Sequence, residues 1–228
     1  KLIIILGITS ITIFNSIVYY SLNFTQVISG VLMISTIPVM IIIFCWLFRI
    51  EKTNVYQICG VIFSLSGVVV IITRADLNIL LNLNFNKGDI WMVVAMFSWA
   101  MYSALLRKKK FELSQLSLLQ IIITAGLIFL LPAYLVELSL GYKTSINLPF
   151  ILTLTYVVLF PGLASFIFWI KGISIIGSNR SGIFLHLMPI FSTIMAILIF
   201  GEKFMIFHSI GAVLIIAGII LSSRGRHI

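Results

Sequence analysis

His186 is the ionisable side chain of this sequence that is best placed for proton transfer or ligand contact. It lies inside a long apolar run, three residues before Pro189, with no charged residue within one helical turn. An unperturbed imidazole has a pKa of about 6.5, so it can gain or lose a proton at ordinary pH. Two interpretations stay open: His186 contacts a substrate or accepts a proton, or it is neutral and hydrogen-bonds to a neighbouring helix.

Trp99 and Tyr102 are candidates for a binding surface because they lie about one helical turn apart and share a helix face. Aromatic rings that line a cavity can stack on a planar or cationic molecule. The alternative is packing or, for Tyr102, a place in an interfacial aromatic belt. Asn15, a polar residue in the first apolar run, either faces the same cavity or bridges two helices.

Pro38 and Pro189 each interrupt an apolar run near its middle. A proline inside a helix removes one backbone hydrogen bond and kinks the helix. In membrane proteins built from duplicated bundles, paired interruptions of this kind indicate the binding site. We therefore predict that both prolines mark kinks that take part in gating, with a fixed packing bend as the alternative.

Two glycine pairs recur at a spacing of seven residues, which keeps each pair on one helix face: Gly60 with Gly67, and Gly211 with Gly218. Small residues allow helices to approach closely in a membrane. We predict helix packing at these positions, with a sliding surface or a homodimer surface as the alternative.

The sequence lacks the residue patterns of the common catalytic sites. Its two aspartates, Asp76 and Asp89, lie in or at the edge of one loop, and no carboxylate falls in the middle of an apolar run. It has no HExxH, GxSxG or Walker A motif. We therefore predict no catalytic residues, no metal, no cofactor and no direct use of ATP.

The composition places these candidates in a membrane. Hydrophobic residues make up 61% of the chain and charged residues 9%, against about 45–50% and about 25% in soluble domains. A soluble domain or a nucleic-acid binder is therefore excluded. A spanning helix needs about 20 apolar residues, and eight continuous runs meet this requirement: 2–20, 26–48, 54–73, 89–106, 116–136, 150–170, 181–200 and 204–222. We predict an all-α integral membrane protein.

An internal repeat organises these helices. A shift of 151 residues aligns Pro38 with Pro189, Glu51 with Glu202, Lys52 with Lys203, Gly60 with Gly211 and Gly67 with Gly218. The second copy then holds five helices, and the first copy shows only its last three. The repeat predicts a ten-helix unit of two inverted five-helix copies, of which eight helices are visible here and about 60 residues precede Lys1.

The basic residues indicate an orientation. The run Arg107–Lys110 is placed in the cytoplasm as a topological anchor and a contact for anionic lipids. Alternation from this run puts eleven of the 15 basic residues, and the C-terminus, on the cytoplasmic side. Glu51 and Glu202 then begin junctions at opposite faces, where each carboxylate can favour the N-terminal dipole of the next helix.

Several of these residues resemble a known family. The segments Leu187-Met188-Pro189-Ile190-Phe191, Phe200-Gly201-Glu202-Lys203, Ile210-Gly211-Ala212 and Ala217-Gly218-Ile219 resemble the last two helices of EamA-type transporters of the drug/metabolite transporter superfamily. The first copy carries a weaker version, with Ile50 where Gly201 stands in the second. The segment Phe97-Ser98-Trp99-Ala100, followed by Tyr102 and Arg107, is similar to the sixth helix of that family.

The resemblance implies ten helices, cytoplasmic termini and the transport of small metabolites. We therefore expect a secondary transporter that moves an amino acid, a nucleoside-like or a drug-like compound by alternating access, with a membrane-embedded enzyme or a channel as alternatives. The expected organisation is the end of the first repeat at 1–73, a non-cytoplasmic loop at 74–88, the second repeat at 89–222 and a basic tail at 223–228. The expected partners are a small molecule, lipids and a second copy, in a bacterial inner membrane.

Overall fold

The described part of the chain contains eight helices that are long enough to cross a membrane. The structure, a computed structural model, describes residues 1–84, 86–142 and 144–224. The eight helices are α1 (Leu2–Ser21), α2 (Ile28–Leu47), α3 (Val55–Ile72), α4 (Lys87–Arg107), α5 (Gln115–Ser139), α6 (Leu148–Ile176), α7 (Ser178–Phe200) and α8 (Ile206–Arg224). No strand occurs in the described ranges. The predicted all-α membrane fold with eight visible helices is therefore confirmed, whereas the ten-helix unit stays a prediction.

The largest departure from the predicted bounds is at the junction of α6 and α7. The apolar run ends before Lys171, but α6 continues to Ile176. It ends where Gly177 adopts a φ of 88°, a left-handed conformation that only glycine takes without strain. A single lysine near a helix end can extend its side chain toward water, so it does not end the helix.

The short junctions carry their own capping residues. Asn54 accepts a hydrogen bond from the backbone N–H of Gln57 at 2.8 Å, and Gln57 Oε1 accepts one from the N–H of Asn54 at 3.3 Å. Asn86 and Asp89 form the same reciprocal pair at the start of α4. Asn54, and not Glu51, therefore caps α3, and the carboxylate of Glu51 binds the start of a different helix, α7.

Helices α2 and α7 are each broken near the middle. Pro38 lies in the first turn of the second half of α2, Ile37–Leu47. Pro189 lies in the first turn of the second half of α7, Met188–Phe200. A proline costs no hydrogen bond at this position, because the first N–H groups of a helix have no partner within it.

The element bounds repeat at the spacing found in the sequence. The second half of α2 begins at Ile37 and that of α7 at Met188, while α3 begins at Val55 and α8 at Ile206. Each pair is 151 residues apart. Helices α1 and α6 also contain corresponding π-helical segments, Ile8–Asn15 and Val158–Ala164. The two copies therefore share local backbone structure as well as sequence.

The four glycines lie at a crossing between α3 and α8. A Cβ built on Gly60 would stand 2.5 Å from the carbonyl oxygen of Gly218, and one built on Gly67 would stand 2.6 Å from that of Gly211. The two backbones are thus in direct contact and run antiparallel. The shift of 151 residues exchanges these two glycine pairs, so the crossing joins equivalent positions of the two copies.

The bundle has two ends that carry different charges. We call the end with Glu51, Arg107 and the start of α7 the basic end, and the end with Arg74 and Glu202 the Arg74 end. Helix α4 lies at the centre and is 67% buried over its apolar window, against 22% for α1.

The predicted tail 223–228 begins in the last turn of α8. Lys143, Phe85 and residues 225–228, including Arg226, lie outside the described residues.

The glycine crossing predicts a large effect from one methyl group. Gly218→Ala would place a Cβ against the backbone of Gly60, so the helices have to separate. We expect a loss of about 1–3 kcal/mol, measured as a lower thermal unfolding midpoint of the purified protein. Gly30→Ala is the control, because its Cβ would meet no described atom closer than 3.5 Å. Equal midpoints for the two variants would contradict the close crossing.

Candidate functional site

Five aromatic side chains from three helices form a cluster around Trp99. The ring centroid of Trp99 lies 4.5 Å from that of Phe14, 5.2 Å from those of Tyr102 and Phe166, and 5.7 Å from that of Trp169. Helix α4 supplies Trp99 and Tyr102, α1 supplies Phe14, and α6 supplies the other two. We call these five residues the aromatic cluster.

Tyr102 carries a buried hydroxyl without a partner. The side chain is fully buried, and its oxygen makes no hydrogen bond within the described residues. The indole N–H of Trp169, in contrast, donates to Ser103 Oγ at 3.1 Å. Buried polar atoms are usually paired. Within the described residues, the Tyr102 hydroxyl is therefore an unpaired polar group among aromatic rings.

Asn15 lies beside this cluster in sequence, directly after Phe14. Its amide nitrogen donates to the backbone carbonyls of Ser10 at 2.9 Å and Ile11 at 3.3 Å, within the π-helical segment of α1. The amide nitrogen of Asn15 is thus bonded to backbone carbonyls of its own helix, α1. The predicted role in a cavity remains a prediction.

His186 is fully buried and connects three helices. Its Nε2 lies 2.9 Å from the carbonyl oxygen of Ser35 at the break of α2, and its Nδ1 contacts Ser64 Oγ in α3. This is the geometry of the helix-bridging interpretation. A direct contact with a substrate would require one of these bonds to break. No ring contact or hydrogen bond joins His186 to the aromatic cluster in the described part of the chain.

The repeat relates the two partners of this bond. Ser35 and His186 are 151 residues apart, so they occupy equivalent positions in the two copies. The breaks of α2 and α7 therefore meet, and the Ser35 carbonyl at one break accepts a hydrogen bond from a side chain at the other.

Glu51 forms the main polar connection at the basic end. Its two carboxylate oxygens accept hydrogen bonds from the backbone N–H groups of Ser178 at 2.9 Å and Asn179 at 3.0 Å, at the start of α7. Arg107 Nε lies 3.3 Å from the same carboxylate, and Arg107 Nη1 donates to the carbonyl of Ser174 at 3.0 Å. We call Glu51, Arg107, Ser178 and Asn179 the Glu51 cluster.

The sequence did not predict the Glu51 cluster, although Gly177 indicates the turn at which the cluster forms. Glycine at position 177, followed by Ser178 and Asn179, allows a tight turn into α7. A Cβ at Gly177 would stand 2.6 Å from Glu51 Oε1, so the carboxylate uses the space that a side chain would occupy. The pairing itself joins residues 127 positions apart, and no local pattern indicates it.

A cavity of about 290 Å³ opens at the Arg74 end, between α2, α3, α7 and α8. Its lining includes Ile28, Pro189, Thr193, Glu202 and His208. His208 has a structural role here, since its Nδ1 accepts a hydrogen bond from the N–H of Met205 at 3.0 Å. This bond is the repeat equivalent of the one between Asn54 and Gln57. The lining includes neither Trp99 nor Tyr102.

The described residues contain no cluster of three or more His, Cys, Asp or Glu side chains that could hold a metal ion. The polar groups of the site are instead single hydroxyl, amide and imidazole side chains inside an apolar bundle. Such groups can bind a small organic molecule through hydrogen bonds and ring contacts.

The eight apolar helices of the described residues, two of them broken where they meet, are those of an integral membrane protein. The chain belongs to the EamA-like transporter family, which matches residues 1–73 and 86–224. The resemblance found in the sequence is thereby confirmed, and the protein is a membrane transporter.

Relatives and a solved structure agree with this assignment. The chain is 26% identical over 223 residues to the uncharacterized transporter YyaM of Bacillus subtilis (strain 168), covering 96% of this chain and 72% of that protein. It is 24% identical to an uncharacterized transporter of Archaeoglobus fulgidus, covering 98% and 76%. A solved crystal structure superimposes with a TM-score of 0.74 at 15% identity over 96% of this chain and 76% of the other, which shows a shared fold.

The buried bond of His186 predicts a specific pattern of stability. His186→Ala leaves the Ser35 carbonyl without its partner, and we expect a loss of about 1 kcal/mol, measured as a lower thermal unfolding midpoint. His186→Gln can still donate to Ser35 and should lose less. Unchanged midpoints for both variants would show that the bond does not stabilise the protein.

Proposed function

We propose that the protein is a secondary transporter that carries a small organic molecule by alternating access between two inverted helix bundles. The observation that carries this proposal is the contact between Ser35 and His186. It joins the breaks of two discontinuous helices at equivalent repeat positions. In inverted-repeat transporters the substrate site lies near such paired breaks, and the bundles rock around it. In this proposal Pro38 and Pro189 mark the hinges.

The two ends of the bundle support the same mechanism. At the basic end, the Glu51 cluster joins the junction between α2 and α3 to α7 and α4. At the Arg74 end, a cavity lies between the corresponding parts of α2 and α7. Cavities also open at the basic end, beside Glu51 and beside Arg107, so the two ends differ in the contacts that hold α7 and not in the presence of a cavity. In this proposal, a carrier whose helices are held together at one end is in an outward-open or inward-open state.

The aromatic cluster supports a substrate with a planar or apolar body. Trp99 offers a ring face, and Tyr102 offers an unpaired hydroxyl that can bind one polar group of the substrate. Asn15 and His186 are proposed as further contacts that become available when the helices move. Amino acids, nucleoside-like compounds and drug-like compounds fit this description.

The remaining parts of the proposal concern the setting of the protein. We place it in the inner membrane of a bacterium with the basic end in the cytoplasm, because basic residues concentrate on that side. A second copy remains a proposed partner, although the glycine face considered for it is occupied by the crossing of α3 and α8. Membrane lipids are proposed to contact the basic run Arg107–Lys110.

Uptake by the purified protein in proteoliposomes tests the function. Labelled amino acids, nucleosides and cationic aromatic compounds are offered in turn, and we expect saturable uptake of one class. Flux that does not saturate and carries ionic current would indicate a channel. Chemical conversion of the compound would indicate an enzyme. Either result would contradict the proposal.

Two matched pairs of variants test the aromatic cluster. Tyr102→Phe should weaken binding of the transported compound about tenfold, as expected for a lost hydrogen bond of about 1.4 kcal/mol, without lowering the unfolding midpoint. Tyr56→Phe is its control, because Tyr56 is 56% exposed. Trp99→Phe should reduce quenching of tryptophan fluorescence by the bound compound, whereas Trp46→Phe should not. Intact binding in Tyr102→Phe would exclude the hydroxyl from the site.

His186 has a separate test. If it contacts the substrate or accepts a proton, His186→Ala changes the dependence of uptake on pH between about pH 5 and pH 8. Uptake with the native dependence across that range would exclude this role and leave the bridging role.

A further inference from the structure

Glu202 occupies the position in the second repeat that Glu51 occupies in the first, yet the two carboxylates have different surroundings. Glu51 is bonded to the start of α7. Glu202 is exposed at the rim of the cavity at the Arg74 end, and its carboxylate makes no hydrogen bond or ion pair within the described ranges. The repeat thus has one carboxylate bound at the start of a helix and one that faces a cavity.

The repeat also shows which backbone groups are equivalent to the partners of Glu51. Glu51 accepts hydrogen bonds from the N–H groups of residues 178 and 179. The equivalent positions in the first copy are 27 and 28, the first two residues of the helical segment Val27–Ile34. Both segments begin at equivalent positions, and neither has a side-chain cap from its own N-cap residue. The first N–H groups of a helix need an acceptor from elsewhere.

The carboxylate of Glu202 and the start of the segment Val27–Ile34 lie at the same cavity. Ile28, Arg74 and Glu202 all line the cavity of about 290 Å³ at the Arg74 end. Closure of that cavity would bring the Glu202 carboxylate toward the start of the segment Val27–Ile34. Arg74, which lines the same cavity, would then stand near the carboxylate as Arg107 stands near Glu51.

We propose that Glu202 and Glu51 exchange roles during transport. When the Glu51 cluster opens, the carboxylate of Glu202 accepts hydrogen bonds from the backbone N–H groups of residues 27 and 28 and holds the Arg74 end closed. The proposal rests on the alternating-access mechanism proposed above. Glu51 and Glu202 are positioning residues, because each stabilises one state of the carrier and neither has to touch the substrate.

The rate at which a reagent labels the thiol of Cys45 measures how often the basic end opens. Cys45 is fully buried beside the hydroxyl of Ser178, so a polar maleimide reaches it only when the Glu51 cluster opens. Cys59→Ser leaves Cys45 as the single thiol. For the Arg74 end, Ala196→Cys places a thiol in the cavity wall in a protein that also carries Cys45→Ala and Cys59→Ser. Labelling rates are measured on the purified full chain in lipid nanodiscs.

The two carboxylates should act with opposite sign. Each substitution replaces two charged acceptor oxygens by one neutral acceptor and so weakens the bonds of one state. Glu51→Gln should therefore raise the labelling rate of Cys45 about tenfold, and Glu202→Gln should lower it about threefold or more. The Ala196→Cys thiol should change in the opposite direction in each case. The double variant should return toward the native rates. Glu112→Gln and Glu137→Gln are matched controls, because both carboxylates are exposed and lie near the basic end and the Arg74 end respectively.

Glu202→Gln is the decisive variant for the exchange of roles. It removes no hydrogen bond or ion pair of the described residues, so we expect it to leave folding intact. A Cys45 labelling rate equal to that of Glu137→Gln would overturn the exchange. If Glu51→Gln still shifted the two reporters in opposite directions, alternating access would stand and only the role of Glu202 would fail. If no variant produced opposite shifts at the two ends, the proposed transport mechanism itself would fail.

Discussion

Backbone polar groups inside a bilayer have to find partners within the protein, because hydrocarbon offers none. An unbroken helix meets this requirement by itself, but α2 and α7 are interrupted and expose carbonyl and N–H groups at their breaks and ends. His186 supplies a partner for the Ser35 carbonyl, and Glu51 supplies acceptors for the N–H groups of Ser178 and Asn179. These buried polar side chains therefore pair with backbone groups that the helices leave without partners at their breaks and ends.

The glycine crossing provides the frame around which these contacts are arranged. Helices α3 and α8 meet backbone to backbone, and the repeat exchanges the pair of Gly60 and Gly218 with the pair of Gly67 and Gly211. The contact between Ser35 and His186 also joins equivalent positions of the two copies. It is not symmetric, because the imidazole comes from one copy and the backbone carbonyl from the other. Glu51 likewise makes contacts that Glu202, its repeat equivalent, does not make within the described residues.

Local patterns in the sequence predict much of the fold. The eight helices follow from the length and continuity of the apolar runs, and the breaks follow from Pro38 and Pro189. The sequence also points to Trp99 and Tyr102 as neighbours, because residues one turn apart share a face. The end of α6 differs from the predicted one, because Lys171 interrupts the apolar run without ending the helix. The aromatic partners from α1 and α6 could not be predicted, because their contacts depend on how three helices pack.

The sequence by itself determined that the chain is a helical membrane protein with a 151-residue repeat, since lipid solubility and helix length are properties of single segments. Only the tertiary structure decided which carboxylate is engaged. Glu51 and Glu202 stand in similar local sequences, each followed by a lysine, yet one binds the start of α7 and the other faces a cavity. The physical reason is that a hydrogen bond between residues 127 positions apart depends on the relative placement of whole helices, which no local pattern of residues specifies.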